Sequence, residues 1–249
     1  MKQLKKGFDI YAPVFYPSAI IAILFVVLTL VFSQEAERGF GNFQEYMVEN
    51  LSWVIKIGVN YSLIFLLFIG ISKWGKVKIG GDNAKPEFNR FSWVAMLFSA
   101  GMGIGLVYFS VAEPMYHFIN PVDEGFSDQV KAEYAMKYTF FHYGFHVWGI
   151  YALLGIALAF FCFNRKLPLS IRSTLHPFLG DGIYGWKGSL IDTLAVLATL
   201  FGLATSLGFG AIQFSTGISR VFETENDLTL QVISIIAITF IATISLITG

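Results

Sequence analysis

Long apolar stretches separated by short polar connections are the main pattern along this chain. Six stretches come close to the length of about 20 residues that a helix needs to cross a bilayer core. They cover residues 14–33, 51–72, 92–119, 138–163, 190–218 and 228–248. Their apolar residues are continuous rather than alternating, and the stretches are too long for barrel strands. The pattern predicts an all-α membrane protein with six transmembrane helices, forming a single membrane domain over residues 1–249.

Basic residues change sides of the predicted bilayer with every crossing. Twelve lysines and arginines fall in the N-terminal segment and in the connections after the second and fourth stretches, against four in the other connections. Cytoplasmic loops of membrane proteins carry an excess of lysine and arginine. The alternation therefore supports the count of six spans, and it predicts a cytoplasmic N-terminus.

The composition agrees with this prediction and excludes some function classes. Hydrophobic residues make up 55% of the chain and charged residues 14%, whereas soluble domains carry about 25% charged residues. The formal net charge is zero, which argues against a nucleic-acid partner. No pair of carboxylates and no Ser/His/Asp set lies at a common depth in the predicted spans, so we do not expect an enzyme.

Three alternate glycines, Gly101, Gly103 and Gly105, lie in the middle of the third stretch. One interpretation is a helix-packing groove, because Gly101 and Gly105 form a G-x-x-x-G pair. Gly103 does not fit that groove, since residues two apart point to different faces of a helix. The other interpretation is a helix that unwinds here and frees backbone carbonyls to bind a cation at mid-membrane depth.

Aromatic residues mark the beginning of the fourth stretch. Tyr143, Trp148 and Tyr151 fit an aromatic belt at the membrane interface. They also fit a cage for a quaternary ammonium group, which aromatic faces attract. His142 and His146 have the i, i+4 spacing of a metal-binding pair, but without a third ligand nearby we expect two polar residues on an access face.

Two other kinds of polar residue lie in predicted spans. Glu113, near the end of the third stretch, is expected to be an interfacial anchor or the partner of a basic group rather than a proton carrier. Thr199, Thr205 and Ser206 place hydroxyls in the fifth stretch. Such hydroxyls usually bond back to their own helix, although they can also bind a hard cation such as sodium.

Three segments together resemble the betaine/carnitine/choline transporter family. They read SAGMGIGLVYFSVAEP (residues 99–114), HYGFHVWGIYALLGIALAFFCFNRKLPLSIRS (142–173) and DTLAVLATLFGLATSLGFGAIQ (192–213). The resemblance implies a twelve-span fold with two inverted five-helix repeats of the leucine-transporter type, of which this chain covers the first half. The third stretch would then be the discontinuous first helix of the first repeat.

The resemblance also implies a set of site residues. The substrate-binding residues would be Gly101, Met102, Gly103, Gly105, Tyr143, Trp148 and Tyr151. The ion-binding residues would be Ser99 and Met102, through their carbonyls, together with Thr199 and Ser206. The chain departs from family patterns at Tyr143, where some betaine carriers have tryptophan, and at Leu203, where sodium-coupled members can have threonine.

The function implied by the resemblance is cation-coupled uptake of a quaternary-ammonium osmolyte such as glycine betaine, choline or carnitine. The coupling ion would be Na⁺ or H⁺, no other cofactor is expected, and the location would be the plasma (inner) membrane. The expected partners are the lipid bilayer, the missing C-terminal half and, by resemblance, two further copies in a trimer. The alternative is a truncated remnant that does not transport, or one subunit of a split carrier.

Overall fold

The computed structural model describes residues 10–101 and 103–248, and the regular elements within these ranges are all helical. The α-helices are α1 (Ala12–Val31), α2 (Ser33–Tyr46), α3 (Ser52–Ile71), α4 (Arg90–Gly101), α5 (Ile104–Val107), α6 (Phe109–Ile119), α7 (Asp128–Tyr143), α8 (Phe145–Ala159), α9 (Ile171–Thr174), α10 (His176–Leu179), α11 (Trp186–Phe222) and α12 (Leu228–Thr248). The prediction of an all-α protein is confirmed for this part of the chain.

Five helical runs among the described residues are long and apolar enough to cross a membrane. They are Ala12–Val31, Ser33–Ile71, Asp128–Asn164, Trp186–Phe222 and Leu228–Ile247. Each run overlaps one of the predicted stretches over most of that stretch. The remaining stretch, 92–119, is divided among α4, α5 and α6 rather than forming one helix. The count of six spans therefore stays a prediction.

Two helical runs begin well before the predicted spans. Residues 34–50 were expected to be a connection, but α2 and a π-helical turn at Met47–Leu51 continue into α3. The reason is that apolar residues recur at helical spacing within this polar segment. One of them, Phe40, packs its ring against that of Phe25, with the ring centroids 5.6 Å apart. Similarly, α7 begins ten residues before residue 138, the predicted start of its span. The Ser127 side chain caps this helix start by accepting a hydrogen bond from the Val130 amide.

The described chain divides into two compact units. One contains residues up to 84 and 145–198, and the other contains 85–144 and residues from 199 onward. In the first unit α8 packs on α3, where an added Cβ at Gly149 would lie 3.6 Å from the Leu63 Cα atom. In the second unit α6 packs on α7. The single membrane domain predicted for residues 1–249 stays a prediction.

Buried serines in these helices satisfy their hydroxyls locally. Ser18, Ser62 and Ser234 are buried, and each donates to the backbone carbonyl four residues earlier at 2.8 Å. A hydroxyl in an apolar setting needs such a partner, because an unpaired one is costly to bury. Large apolar side chains are exposed along the same helices, as expected for surfaces that face lipid.

A polar cluster anchors the start of α11 within the first unit. Asp192 accepts hydrogen bonds from the Ser170 hydroxyl at 2.8 Å and the Arg172 backbone amide at 3.1 Å, and the Arg172 Nε lies 3.2 Å from its carboxylate. The Arg172 guanidinium also lies over the Tyr11 ring, 4.9 Å from its centroid. Hydrogen bonding to Ser189 and to Arg172 lowers the pKa of Tyr11.

Short helical turns precede α11. Residues 176–192 contain α10, a 3₁₀ turn at Gly180–Tyr184 and the beginning of α11.

Candidate functional site

The third apolar stretch is interrupted at its glycines. Helix α4 ends at Gly101 and α5 begins at Ile104, while Gly103 lies in a bend. The Gly103 carbonyl accepts hydrogen bonds from the amides of Leu106 and Val107, both at 3.0 Å, so a new helix starts here. Met102 lies outside the described residues.

The environment of Gly103 agrees with the expectation that it lies outside the groove of Gly101 and Gly105. Among the described residues, no atom lies within 4 Å of the position that a Cβ on Gly103 would occupy. A glycine that served close helix packing would have a neighbour at that distance. The observed interruption favours the alternative interpretation, in which the glycines allow the helix to unwind.

One predicted aromatic residue lies beside the interruption. A Cβ on Gly105 would lie 3.7 Å from the Cε1 atom of Tyr143, which is the last residue of α7. Both residues belong to the second unit. The structure therefore brings together two residues that the sequence places 38 positions apart, and it puts a phenol ring against the start of α5.

Gly144 separates α7 from α8 and has a steric reason to be glycine. A Cβ at this position would lie 2.5 Å from the Phe140 carbonyl oxygen. On α8, the ring centroids of Trp148 and Tyr151 lie 5.7 Å apart, and the ring planes meet at an angle of 40°. Trp148 is 48% exposed and Tyr151 is 68% exposed. These two rings belong to the first unit and Tyr143 to the second, so the cage of three aromatic residues stays a prediction.

Three of the predicted ion-binding residues, all except Met102, fall within the described helices. Ser99 lies near the end of α4, and Thr199 and Ser206 are exposed on α11. Their neighbour Thr205 donates its hydroxyl to the Phe201 carbonyl at 2.9 Å, the local pairing expected of hydroxyls within spans. The role of Ser99, Thr199 and Ser206 as ion ligands stays a prediction.

The structure also shows a cluster that the sequence did not reveal. Glu113 and His117 lie one turn apart on α6, with His117 Nε2 3.3 Å from Glu113 Oε1. His142 of α7 contacts the same carboxylate oxygen through Nδ1. Their nearest ligand atoms all lie within 4.8 Å of one another. We call these three residues the Glu-His-His cluster.

Part of this cluster agrees with the sequence prediction. Glu113 was expected to be an anchor or the partner of a basic group, and it pairs with two histidines. The i, i+4 spacing of Glu113 and His117 is a signal that could have revealed their pairing. The contact with His142 had no such signal, because it depends on how α6 and α7 pack.

A cavity of about 430 Å³ adjoins the cluster within the second unit. It is lined by Tyr108, Phe109, Ala112, Tyr116 and Phe209 as well as the three cluster residues. Phe209 stacks on Tyr108 with ring centroids 5.3 Å apart and meets Phe109 edge-on at 5.7 Å. The cavity therefore has an aromatic wall and a carboxylate-imidazole wall.

Comparison with known proteins gives consistent similarities. The family profile described as "BCCT, betaine/carnitine/choline family transporter" matches residues 13–249. Glycine betaine transporter 1 of Vibrio parahaemolyticus is 43% identical over 250 residues, covering 98% of this chain and 48% of that relative. The high-affinity choline transport protein of Escherichia coli is 38% identical over 236 residues, covering 95% and 35%.

A further relative shows the same difference in length. The glycine betaine transporter of Acinetobacter baylyi is 38% identical over 232 residues, which are 93% of this chain but 35% of that protein. The chain spans about half the length, or less, of the curated relatives it matches.

Proposed function

The chain belongs to the betaine/carnitine/choline family of transporters, and on that premise we propose that it forms half of a secondary transporter for a quaternary-ammonium osmolyte. The substrate would be glycine betaine, choline or carnitine. The observation that carries the proposal is the helix interruption between Gly101 and Ile104, with Tyr143 against Gly105. The relatives are named as transporters of glycine betaine or choline, which supports the same substrate class.

The aromatic residues would bind the substrate's ammonium group. A quaternary ammonium has no hydrogen to donate, so a protein recognises it through the negative faces of aromatic rings. We propose Tyr143, Trp148 and Tyr151 for this role, with the glycine segment from Gly101 through Met102 and Gly103 to Gly105 lining the other side. The glycines would let the substrate approach the backbone closely.

The coupling ion would bind where the helix is unwound. Half-helix ends and freed carbonyls bind small cations in transporters that have discontinuous helices. We propose the carbonyls of Ser99 and Met102 for one position and the hydroxyls of Thr199 and Ser206 for another, with Na⁺ or H⁺ as the coupling ion. A bound cation would stabilise the unwound backbone and so favour substrate binding.

At the level of the whole transporter, we propose the architecture that the family resemblance implies. This chain would supply six spans, with its N-terminus in the cytoplasm, and would form the first half of an inverted-repeat fold in the plasma (inner) membrane. Alternating access requires one repeat to move against the other. Transport would therefore need a second half, and the assembled carrier would form a trimer.

Uptake measurements test this proposal. Cells without their own betaine and choline uptake would express the chain alone, or together with the complementary half of the Vibrio relative. We expect labelled betaine or choline to accumulate only when both halves are present. Trp148→Ala should reduce uptake by about tenfold, which corresponds to about 1.4 kcal/mol of lost binding. Trp186→Ala, which removes an exposed tryptophan at the start of α11, should leave uptake unchanged.

Two results would contradict this proposal. An absence of uptake with any complementary half would show that the chain does not take part in transport. Uptake that is indifferent to Na⁺, to pH and to Trp148→Ala would contradict the proposed mechanism.

A further inference from the structure

We propose that the Glu-His-His cluster is a binding site for a divalent transition-metal ion, with Zn²⁺ as the best match. Two imidazoles and one carboxylate are a common ligand set for zinc sites that keep a fourth position open. The same set suits other first-row transition metals but not Mg²⁺ or Ca²⁺, which prefer oxygen ligands. The ligands come from Glu113, His117 and His142.

The distances are close to those that a metal site requires. Ligand atoms about 2.0–2.2 Å from a tetrahedral zinc lie about 3.3 Å from one another. His117 Nε2 and Glu113 Oε1 are already 3.3 Å apart. All three ligand atoms lie within 4.8 Å of one another. The short contact between His142 and Glu113 would lengthen to admit an ion between them.

A neighbouring ring limits the orientation of His117. His117 stacks on Tyr138, with ring centroids 5.1 Å apart and an interplanar angle of 28°. Tyr138 lies one turn before His142 on α7, so α7 supplies both the stacking partner of His117 and the third proposed ligand. A ligand whose orientation is already restricted loses less conformational freedom when it binds an ion.

The cluster is accessible but partly shielded from water. The side chains of Glu113 and His117 are 14% and 21% exposed, and that of His142 is 49% exposed. All three line the cavity of about 430 Å³. An ion could enter from this cavity, and a water molecule from it would supply the fourth ligand. Because the ligands come from α6 and α7, a bound ion would tie the two helices together.

Metal titration of the purified full chain tests the site without any transport assay. The protein would carry an affinity tag free of histidine and be titrated with ZnCl₂ by calorimetry, with MgCl₂ as a second probe. We expect one saturable Zn²⁺ site per chain, no comparable Mg²⁺ binding and a higher thermal unfolding temperature with Zn²⁺, because the ion binds the folded protein. Co²⁺ should give the visible absorption of a four-coordinate site.

Single substitutions in the Glu-His-His cluster identify the ligands. Glu113→Gln, His117→Gln and His142→Gln should each weaken Zn²⁺ binding by about 100-fold or more, since even the loss of an outer contact costs about 10–100-fold. The matched controls are His146→Gln and His176→Gln, which should change affinity by less than about threefold. Helical circular dichroism without metal would establish which variants fold.

Several outcomes would overturn the proposal. It is wrong if the wild-type chain shows no saturable Zn²⁺ binding, or if all three cluster variants bind as the wild type does. It is also wrong if His146→Gln abolishes binding, because the i, i+4 pair of His142 and His146 would then be the site. If a cluster variant fails to fold, the Co²⁺ spectrum of the wild type and of His146→Gln still decides between the two sites. A negative result would leave the proposed transport function untouched, and failed transport would leave the metal site untouched.

Discussion

At the scale of single residues, the contact between Gly105 and Tyr143 is the most informative feature of the interrupted helix. It places an aromatic ring against the segment where α5 begins, and the space there is limited. A methyl group at Gly105 would make an ordinary van der Waals contact at 3.7 Å. A longer side chain would occupy the space of the phenol ring. The size of residue 105 should therefore control the position of Tyr143.

Substitutions at Gly105 test this control. Gly105→Ala should retain betaine or choline uptake within about twofold, whereas Gly105→Leu should reduce it by about tenfold or more, because the leucine displaces the Tyr143 ring. The control is Gly202→Leu on α11, where no described atom lies within 4 Å of the added Cβ. Uptake would be measured in cells that also express the complementary half. Equal uptake by Gly105→Leu and Gly202→Leu would contradict the role of this contact.

At the scale of secondary-structure elements, glycine also sets the separation of α3 and α8. Gly149 of α8 is buried against Leu63 of α3. Gly155, six residues later on α8, has open space at its Cβ position among the described residues. The two glycines therefore lie on one helix in opposite environments, one crowded and one open.

Leucine at these two positions should have different effects on stability. Gly149→Leu would force α3 and α8 apart and should cost about 1–3 kcal/mol of unfolding free energy, as overpacked cores do. Gly155→Leu should be neutral or stabilising by up to about 1 kcal/mol, because glycine is a poor helix former. Thermal unfolding of both variants in detergent, followed by circular dichroism, measures the difference. Equal unfolding temperatures would show that the close approach of the helices is not needed.

A second test at this scale concerns the attachment of α9 to α11. Asp192→Asn keeps the shape of the side chain but removes the charge that faces Arg172. We expect it to cost about 1.5–3 kcal/mol, the range of hydrogen bonds to charged groups. Asp181→Asn, at an exposed residue of the 3₁₀ turn, is the control and should change unfolding by less than about 0.5 kcal/mol. Similar unfolding temperatures for both variants would mean that the ion pair contributes little.

At the scale of the whole molecule, the interrupted segment determines whether the chain crosses the membrane five or six times. Five helical runs among the described residues have the length and composition of spans. Helices α4 to α6 lie between residues 90 and 119 in three pieces. If these pieces cross as one discontinuous span, the connections before α4 and after α6 lie on opposite sides of the bilayer. The positive-inside rule predicts this arrangement, with the lysine-rich connection in the cytoplasm.

Cysteine labelling distinguishes five spans from six. Cys162 is the only cysteine, so Cys162→Ser provides a background without thiols. In that background Glu124→Cys should react in intact cells with a reagent that cannot cross membranes, whereas Asp82→Cys should react only after the cells are opened. Labelling of both positions from the same side would show that residues 90–119 do not cross.

The sequence by itself determined the all-helical architecture of the described residues, the positions of the long apolar helices and the family. These properties follow from local patterns, because the length of an apolar run and the motifs within one segment can be read along the chain. For the glycines the sequence left a packing groove and an unwound helix open, and the structure shows the interruption. Only the tertiary structure decided that Tyr143 lies against Gly105, that Gly149 meets Leu63, and that His142 joins Glu113 and His117. Such contacts depend on how separate helices pack, and no periodicity within one helix specifies its neighbour. For the same reason the i, i+4 spacing of His142 and His146 did not indicate that packing brings His142 into contact with Glu113, 29 residues away.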